Sequence, residues 1–121
     1  MLGNERRHFT RVVVRMQITV SHGEAGLIAR ELQDISMGGA FIVNGTPLPV
    51  GTACVLSLEV SGPSSVLQIE LEGEVIRTDG TGMAIRFTKI DLDSFLHLRH
   101  LVKLFSRDPE TIDAELQKTF A

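Results

Sequence analysis

Three arginines near the start of the sequence form the first group that could carry chemistry: Arg6, Arg7 and Arg11 lie within six residues. A guanidinium keeps its charge in proteins, binds phosphate oxygens in pairs and stacks on flat rings. Residues 1–20 hold four arginines and one glutamate, which gives +3 on a chain whose total is −3. We therefore expect residues 1–11 to form a mobile arm that binds a discrete anion; a solvated basic tail is the alternative.

A second group combines a carboxylate, a hydroxyl and a glycine at Asp34, Ser36 and Gly39. Residues two apart on a strand point to the same side, so Asp34 and Ser36 are expected to project together. A carboxylate can accept two N–H bonds from the edge of guanine, and a hydroxyl beside a glycine N–H can hold a phosphate or a ribose. The alternative for this segment is an Asx/Ser turn with a β-bulge.

Residues that commonly catalyse reactions do not form a recognisable site in the sequence. His97 and His100 are three residues apart on a predicted helix, but only Asp93 could join them in a metal site, and a solvated helix face explains them better. The glutamates within residues 70–74 fit one solvated strand face, and no serine elbow or phosphate-binding glycine loop is present. We predict that the protein is not an enzyme and uses no cofactor or metal.

Six segments of apolar or alternating character follow one another without a helix between them. Turn signals separate them, as at Asn44-Gly45 and Asp79-Gly80, which is typical of antiparallel barrels and compact sandwiches. In a barrel the apolar side chains fill the inside, which explains the alternation. We predict an all-β, six-stranded antiparallel and Greek-key-like barrel over residues 12–88, built from segments 12–20, 27–35, 40–43, 52–60, 66–78 and the alternation of Met83, Ile85 and Phe87.

The period changes after the barrel, and residues 91–121 are predicted to form a C-terminal helical segment of the same single domain, which spans residues 1–121. Apolar residues at helical spacing predict an amphipathic helix over residues 92–106; they are Leu92, Phe95, Leu98, Leu101, Val102 and Phe105. Asp91 or Asp93 is the expected N-cap. A second helix begins at Asp108-Pro109. The apolar stripe of this helix consists of Ile112, Leu116 and Phe120. It either packs on the same chain or offers a surface to a partner.

Composition argues against several further classes. No apolar run reaches the roughly 18 residues of a membrane span, and residues 1–7 lack the apolar core of a signal peptide, so we predict no membrane insertion. The single cysteine, Cys54, excludes a disulfide framework and fits the reducing cytoplasm. The acidic net charge, the glutamates on strand faces and the absence of Trp and Tyr argue against binding of a nucleic acid polymer.

The two motifs and the strand pattern together resemble the PilZ domain, the bacterial receptor module for cyclic di-GMP. The resemblance covers roughly residues 5–105 and implies a six-stranded barrel with arginines before the first strand and a helix after the last. The residues that carry it are Arg7-x-x-x-Arg11, Asp34-x-Ser36-x-x-Gly39 and a segment similar to the family's closing strand, Gly82-Met83-Ala84-Ile85-Arg86-Phe87.

The resemblance implies a role for each motif residue. Arg7 and Arg11 would grip the phosphates and the guanine faces of cyclic di-GMP. Asp34 and Ser36 would recognise guanine and the adjacent phosphate, and Gly39 would leave room for the ligand. The implied ligand site therefore joins the arm to the segment around Asp34.

Two further arginines take roles that the resemblance implies. In the family an arginine directly before the first motif arginine accompanies two intercalated ligand molecules, so Arg6 predicts a bound dimer of cyclic di-GMP. Some members place a side chain that stacks on a base at the position of Arg77; a solvated strand end is the alternative for this residue.

These roles predict a receptor or adaptor that changes conformation on binding. Ordering the arm costs roughly 1–2 kcal/mol per residue, and charge-assisted hydrogen bonds of roughly 1.5–3 kcal/mol each can offset that cost. The signal would then pass to an unidentified downstream protein. The alternative is a PilZ-fold protein-interaction module that does not bind nucleotide, and the presence of both motifs argues against it.

Overall fold

The computed structural model describes residues 9–23 and 26–120. Within this part of the chain the predicted six-stranded, all-β barrel is confirmed; the first five strands begin and end within one residue of the predicted bounds, and the last extends three residues beyond the predicted alternation. The strands are β1 (Val12–Ser21), β2 (Ile28–Ile35), β3 (Gly39–Val43), β4 (Ala53–Ser61), β5 (Val66–Thr78) and β6 (Gly82–Ile90).

The six strands close into a barrel in the spatial order β1-β2-β3-β6-β5-β4, with every pair antiparallel. Strands β1 to β3 follow one another as neighbours, and so do β4 to β6. The connection from β3 to β4 crosses between these two groups, so that β3 pairs with β6 and β4 pairs with β1. This crossing gives the barrel the Greek-key-like character that we predicted.

The apolar face of each strand fills the inside of the barrel. On β5, Ile69, Leu71 and Val75 are at most 1% exposed, whereas Glu70 and Glu72 are exposed. Burying one such aliphatic side chain contributes roughly 1.5–3 kcal/mol, so a one-residue slip in register would be costly. Because aliphatic side chains occupy the interior, a binding site of this barrel has to lie on its outer surface or at its rim.

One charged side chain lies inside the protein near the crossing connection. Arg30 of β2 is 9% exposed, and its Nη1 donates a hydrogen bond of 2.9 Å to the carbonyl oxygen of Thr46. This bond ties the β3–β4 connection to β2. Burial raises the pKa of the Cys54 thiol, and the positive charge of Arg30 opposes that shift.

Helix α1 (Leu92–Phe105) packs on the barrel through Leu98, Leu101 and Val102, which are buried. The predicted amphipathic helix is confirmed, although two residues of its apolar spacing, Leu92 and Phe105, are 71% and 50% exposed at the two ends of the helix. The first turn of the helix is instead held through a serine: Ser94 is buried, and its hydroxyl accepts a 3.0 Å hydrogen bond from the backbone N–H of Glu70. Asp91 occupies the N-cap position, but its side chain makes no capping hydrogen bond.

Helix α2 (Pro109–Phe120) begins at a proline, as predicted. Ile112 and Leu116 are buried in the same apolar cluster as the barrel core. For these two residues packing within the chain is therefore the alternative observed, and the side chain of Phe120 lies outside the described part of the structure. Neither described helix combines the length and the apolar character that crossing a membrane requires.

Candidate functional site

A cavity of about 770 Å³ lies on the outer side of the barrel, across β2, β3, β6 and β5. Small-molecule sites commonly measure roughly 300–1,000 Å³, so the cavity has the size of a ligand site. Three of the predicted site residues meet in it, namely Arg11, Asp34 and Arg77. Its full lining is Phe9, Arg11, Gln33, Asp34, Phe41, Ile76, Arg77, Asp79, Thr81 and Ala84.

Arg11 and Asp34 form an ion pair at the edge of this cavity. The pairing of β1 with β2 places Val12 opposite Ile35 and Val13 opposite Asp34, which brings Arg11 to the carboxylate. Arg11 Nη1 lies 2.6 Å from Asp34 Oδ1, and the two side chains are 49% and 18% exposed. Exposed pairs of this kind contribute about 0–1 kcal/mol, so either group can change its partner at little cost.

Three consecutive residues of the predicted arm contact three different parts of the fold. The ring of Phe9 covers Gly38, where a Cβ would lie only 2.9 Å from Phe9 Cδ2. The backbone N–H of Thr10 donates to Glu115 Oε1 at 2.8 Å, and its hydroxyl donates to Glu115 Oε2. Arg11 reaches Asp34, so residues 9–11 join the motif loop, α2 and β2 at one place. Arg6 and Arg7 lie outside the described residues.

Ser36 and Gly39 shape the turn after β2 and do not line the cavity. The prediction that Asp34 and Ser36 project together is wrong, because β2 ends at Ile35 and Ser36 lies in the following turn, 2% exposed. Its hydroxyl oxygen accepts hydrogen bonds from the N–H groups of Gly38 and Gly39 at 3.1 and 3.2 Å. This Ser turn and a register shift between Leu32 and Asp34 match the alternative prediction for the segment, an Asx/Ser turn with a β-bulge. Direct contact of Ser36 with a ligand stays a prediction.

Gly39 is required by a close approach of two strands. A Cβ at Gly39 would lie 2.5 Å from the carbonyl oxygen of Ile85 on β6, a distance that side chains do not tolerate. The same Cβ would lie 3.7 Å from Arg11 Nη2. The glycine therefore makes room for β6 and for the neighbouring arginine; the predicted room for a ligand stays a prediction.

Arg77 is the penultimate residue of β5, lies on the far side of the cavity from Arg11 and is exposed. Its guanidinium carbon lies 6.0 Å from the centroid of the Phe41 ring, at the outer limit of a cation–π contact. Phe41 faces outward between the buried Ala40 and Ile42. The cavity therefore has a cation at each side and an aromatic ring on its floor.

Asp79 closes the turn beside Arg77, and its folded-state pKa gives a direct test. The Thr81 hydroxyl and N–H, then the Gly82 N–H, donate to Asp79 Oδ1 and lower the pKa of the carboxyl, with a smaller contribution from Arg77. Because the folded pKa is depressed, the stabilisation is complete above the unfolded value of about 3.9 and is lost as the pH falls through the folded pKa. We expect an NMR titration of this carboxyl to have its midpoint below about 3.9, and Thr81→Val to raise the midpoint. A midpoint at or above the ordinary value would contradict the described turn.

Sequence reasoning missed the remaining seven lining residues. Phe41, Ile76 and Ala84 belong to the outward-facing sets of β3, β5 and β6, and Gln33 precedes Asp34 on β2. Apolar residues at outward positions were a usable signal, since a barrel does not need them for its core. The alternation within each strand does not show which strands are neighbours in the barrel, and so does not show which outward-facing residues lie side by side.

His97 of α1 contacts the barrel. His97 Nδ1 lies 2.8 Å from the carbonyl oxygen of Gln68, which ties the helix to β5. Among residues 9–23 and 26–120, no group of three or more His, Cys, Asp or Glu side chains is placed to hold a metal ion.

A family model described as "PilZ domain" matches residues 5–104, which is most of the chain. No curated protein matches the sequence.

Several solved structures share the fold. The PilZ domain of Escherichia coli YcgR, solved with c-di-GMP, has a TM-score of 0.64 and 16% identity, covering 96% of this chain and 99% of that one. The Bacillus subtilis inhibitor of motility MotI/DgrA has a TM-score of 0.64 and 22% identity over 77% of this chain and 47% of that one. Borreliella burgdorferi PlzA, in complex with c-di-GMP, has a TM-score of 0.59 and 17% identity over 80% and 41%. The chain thus spans about half the length of two of these proteins.

Proposed function

Because the chain belongs to the PilZ domain family, we propose that it is a receptor that binds cyclic di-GMP in the cavity between Arg11 and Arg77. The observation that carries this proposal is the meeting of Arg11, Asp34 and Arg77 on one cavity of about 770 Å³. Two cations (Arg11 and Arg77), two carboxylates (Asp34 and Asp79) and the ring of Phe41 line the cavity, and a ligand with two phosphates and two guanines has groups that could pair with them. The c-di-GMP complexes of YcgR and PlzA support the choice of ligand by family membership.

Binding would proceed by exchange of partners at the Arg11–Asp34 ion pair. The Asp34 carboxylate is the one acceptor of the predicted motif that reaches the cavity, and it can accept two N–H bonds from the edge of guanine. Arg11 would then turn to a phosphate, where a guanidinium forms paired charge-assisted bonds. The exposed ion pair costs little to break, so the new contacts with the ligand have only a small loss to offset.

The other motif residues have supporting roles in this proposal. Arg77, at the opposite wall, would stack on a guanine face, and Arg7 would add a second phosphate contact from the arm. Ser36 and Gly39 hold the turn through which Gly38 supports Phe9. By holding this turn, Ser36 and Gly39 would keep the arm in the position from which its arginines contact the ligand.

The proposed ligand site is connected to α2 through the residue before Arg11. Thr10 is tied to α2 through Glu115, and the next residue is the ligand-binding Arg11. Ligand that moves Arg11 would therefore also act on the position of α2. We expect the clamped arm and this helix to be the surface that a downstream protein in the cytoplasm recognises.

A calorimetric titration of the full chain with cyclic di-GMP tests the proposal. A saturable heat is expected at micromolar ligand. No heat at high micromolar protein, with the fold intact by circular dichroism, would refute binding and would favour the interaction module that does not bind nucleotide.

The ratio of ligand to chain tests the role of Arg6 separately. We expect two ligands per chain, stacked on each other, and one ligand per chain for Arg6→Ala, because the second molecule depends on an added guanidinium. Lys118→Ala removes a cation from α2 and serves as the control, with an unchanged ratio. A ratio of one in the unmodified chain would show that the intercalated dimer does not form.

A further inference from the structure

The outer face of α1 carries two large apolar side chains beside a groove. Leu96 and Leu104 are 41% and 64% exposed. They lie about two turns apart, which is about 12 Å along the helix axis. The groove measures about 390 Å³, and Pro109 at the start of α2 also lines it. Exposed apolar side chains that border a groove are typical of an interaction surface.

The polar side chains that line this groove are all basic. They are Arg99, His100 and Lys103, which lie between the two leucines on the same face of the helix. Among the residues that the structure describes, no carboxylate lines the groove. A segment that enters the groove therefore meets only apolar and basic side chains.

The positive charge of the groove is compensated only in part. Lys103 Nζ lies 2.7 Å from Oδ2 of Asp113 on α2. This hydrogen bond holds the pKa of the Asp113 carboxyl below its usual value, and the charges of Lys103 and Arg99 add to the effect. Arg99 itself forms no ion pair within the described part of the chain. Two cations thus share one carboxylate, so a carboxylate from another molecule would find an uncompensated partner.

We propose that this groove, between Leu96 and Leu104 on α1, binds an acidic amphipathic helix of a partner protein. Leucines of the partner would pack against the two exposed leucines, and its glutamates or aspartates would reach Arg99 and Lys103. A helix with apolar and acidic residues three and four positions apart presents both groups at this spacing. The proposal does not depend on nucleotide binding, since none of these residues lines the proposed nucleotide cavity.

The charges of this region fit a partner helix better than an anionic membrane. Residues 91–121, which include both helices, carry six Asp and Glu side chains against four Lys and Arg side chains. A bilayer surface would meet many of these carboxylates, whereas a single helix would meet the basic groove alone. Because the groove is small beside a standard interface of about 800 Å² per partner, we expect a modest affinity.

Fluorescence anisotropy with a labelled model peptide tests the groove in the absence of nucleotide. The probe is a helical peptide of Ala, Leu and Glu with 14 residues, as long as α1, and with leucines four positions apart. We expect saturable binding with a Kd on the order of 100 μM. The same peptide with lysine in place of glutamate should bind at least about tenfold more weakly.

The preference for the acidic peptide is the decisive result. The chain as a whole has a net charge of −3, so non-specific attraction would favour the lysine peptide. Equal binding of the two peptides, binding of the lysine peptide alone, or binding of neither would overturn the proposal. Because no nucleotide is present, none of these outcomes bears on the proposed receptor function.

Two substitutions with matched controls test where the peptide binds. Arg99→Glu should weaken binding of the acidic peptide at least about tenfold, because repulsion replaces attraction. Leu104→Ser should weaken it about fivefold or more through lost apolar contact. Arg15→Glu and Leu27→Ser make the same changes at exposed residues outside the groove, and the affinity should stay within about twofold.

Two further outcomes would overturn the assignment of this face. Equal losses in the groove variants and in their controls would show that the peptide binds elsewhere. Sedimentation of the chain with phosphatidylglycerol vesicles, abolished by Arg99→Glu and combined with no binding of the acidic peptide, would assign the face to a membrane instead.

Discussion

Replacing Asp34 by alanine is expected to weaken the binding of cyclic di-GMP by at least about 100-fold. In the proposed complex the carboxylate accepts two N–H bonds from one guanine, and charge-assisted bonds contribute roughly 1.5–3 kcal/mol each. A loss of roughly 3 kcal/mol corresponds to about two orders of magnitude in the dissociation constant. The free-state ion pair between Arg11 and Asp34 is exposed, so its loss recovers little of this amount. Calorimetry with the purified variant measures the change.

The Asp34 result needs a control for the loss of one negative charge. Glu59 on β4 is exposed and lies outside the cavity, so Glu59→Ala should keep the original affinity. Arg11→Ala should also weaken binding, because it removes a phosphate contact and the group that positions the carboxylate. Unchanged affinity in both cavity variants, in a chain that does bind the nucleotide, would show that the ligand occupies a different surface.

Replacing Gly39 by alanine is expected to lower the free energy of unfolding by roughly 1–3 kcal/mol, the usual cost of overpacking. The added Cβ would lie 2.5 Å from the Ile85 carbonyl oxygen, which is backbone and has no rotamer by which to move away. Gly39 pairs with Arg86 at one end of the β3–β6 ladder, so the added Cβ would push apart two strands whose pairing closes the barrel. Denaturant unfolding of the full chain measures the loss.

A matched glycine provides the control for this effect. Gly80 lies in the turn between β5 and β6, does not adopt a positive φ, and a Cβ added to it would meet no atom within 4 Å. Gly80→Ala should therefore leave stability unchanged or raise it slightly through the unfolded state. Equal stability of the two variants would mean that β3 and β6 are further apart than described.

Local patterns predicted the secondary structure well. The long alternation within residues 66–78 is a property of neighbouring residues, and the β5 strand has the predicted bounds. The change to helical spacing after residue 90 likewise predicted α1. Leu92 and Phe105 are exposed at the two ends of α1, because helical spacing shows that a residue is compatible with the apolar face and does not show that the barrel extends far enough to cover it.

The candidate site was predictable only in part. Arg11, Asp34 and Arg77 could be named from motifs and from the family resemblance, and all three line one cavity. Ser36 could be named as well, but its hydroxyl is turned into its own loop, because a turn after the end of β2 replaces the alternation that the strand pattern implied. Arg6 and Arg7 stand outside the described residues, and their roles remain proposals.

The sequence by itself determined the strands, the two helices, the apolar face of each element and the family, because these depend on residue type and on spacing along the chain. The tertiary structure decided which outward faces adjoin. The crossing between β3 and β4 sets β3 beside β6, and it thereby assembles Phe41, Ala84 and Arg77 beside Asp34. It also decided that Thr10 meets Glu115, a contact across 105 residues. Such contacts follow from closure of the whole barrel, so no local pattern carries them.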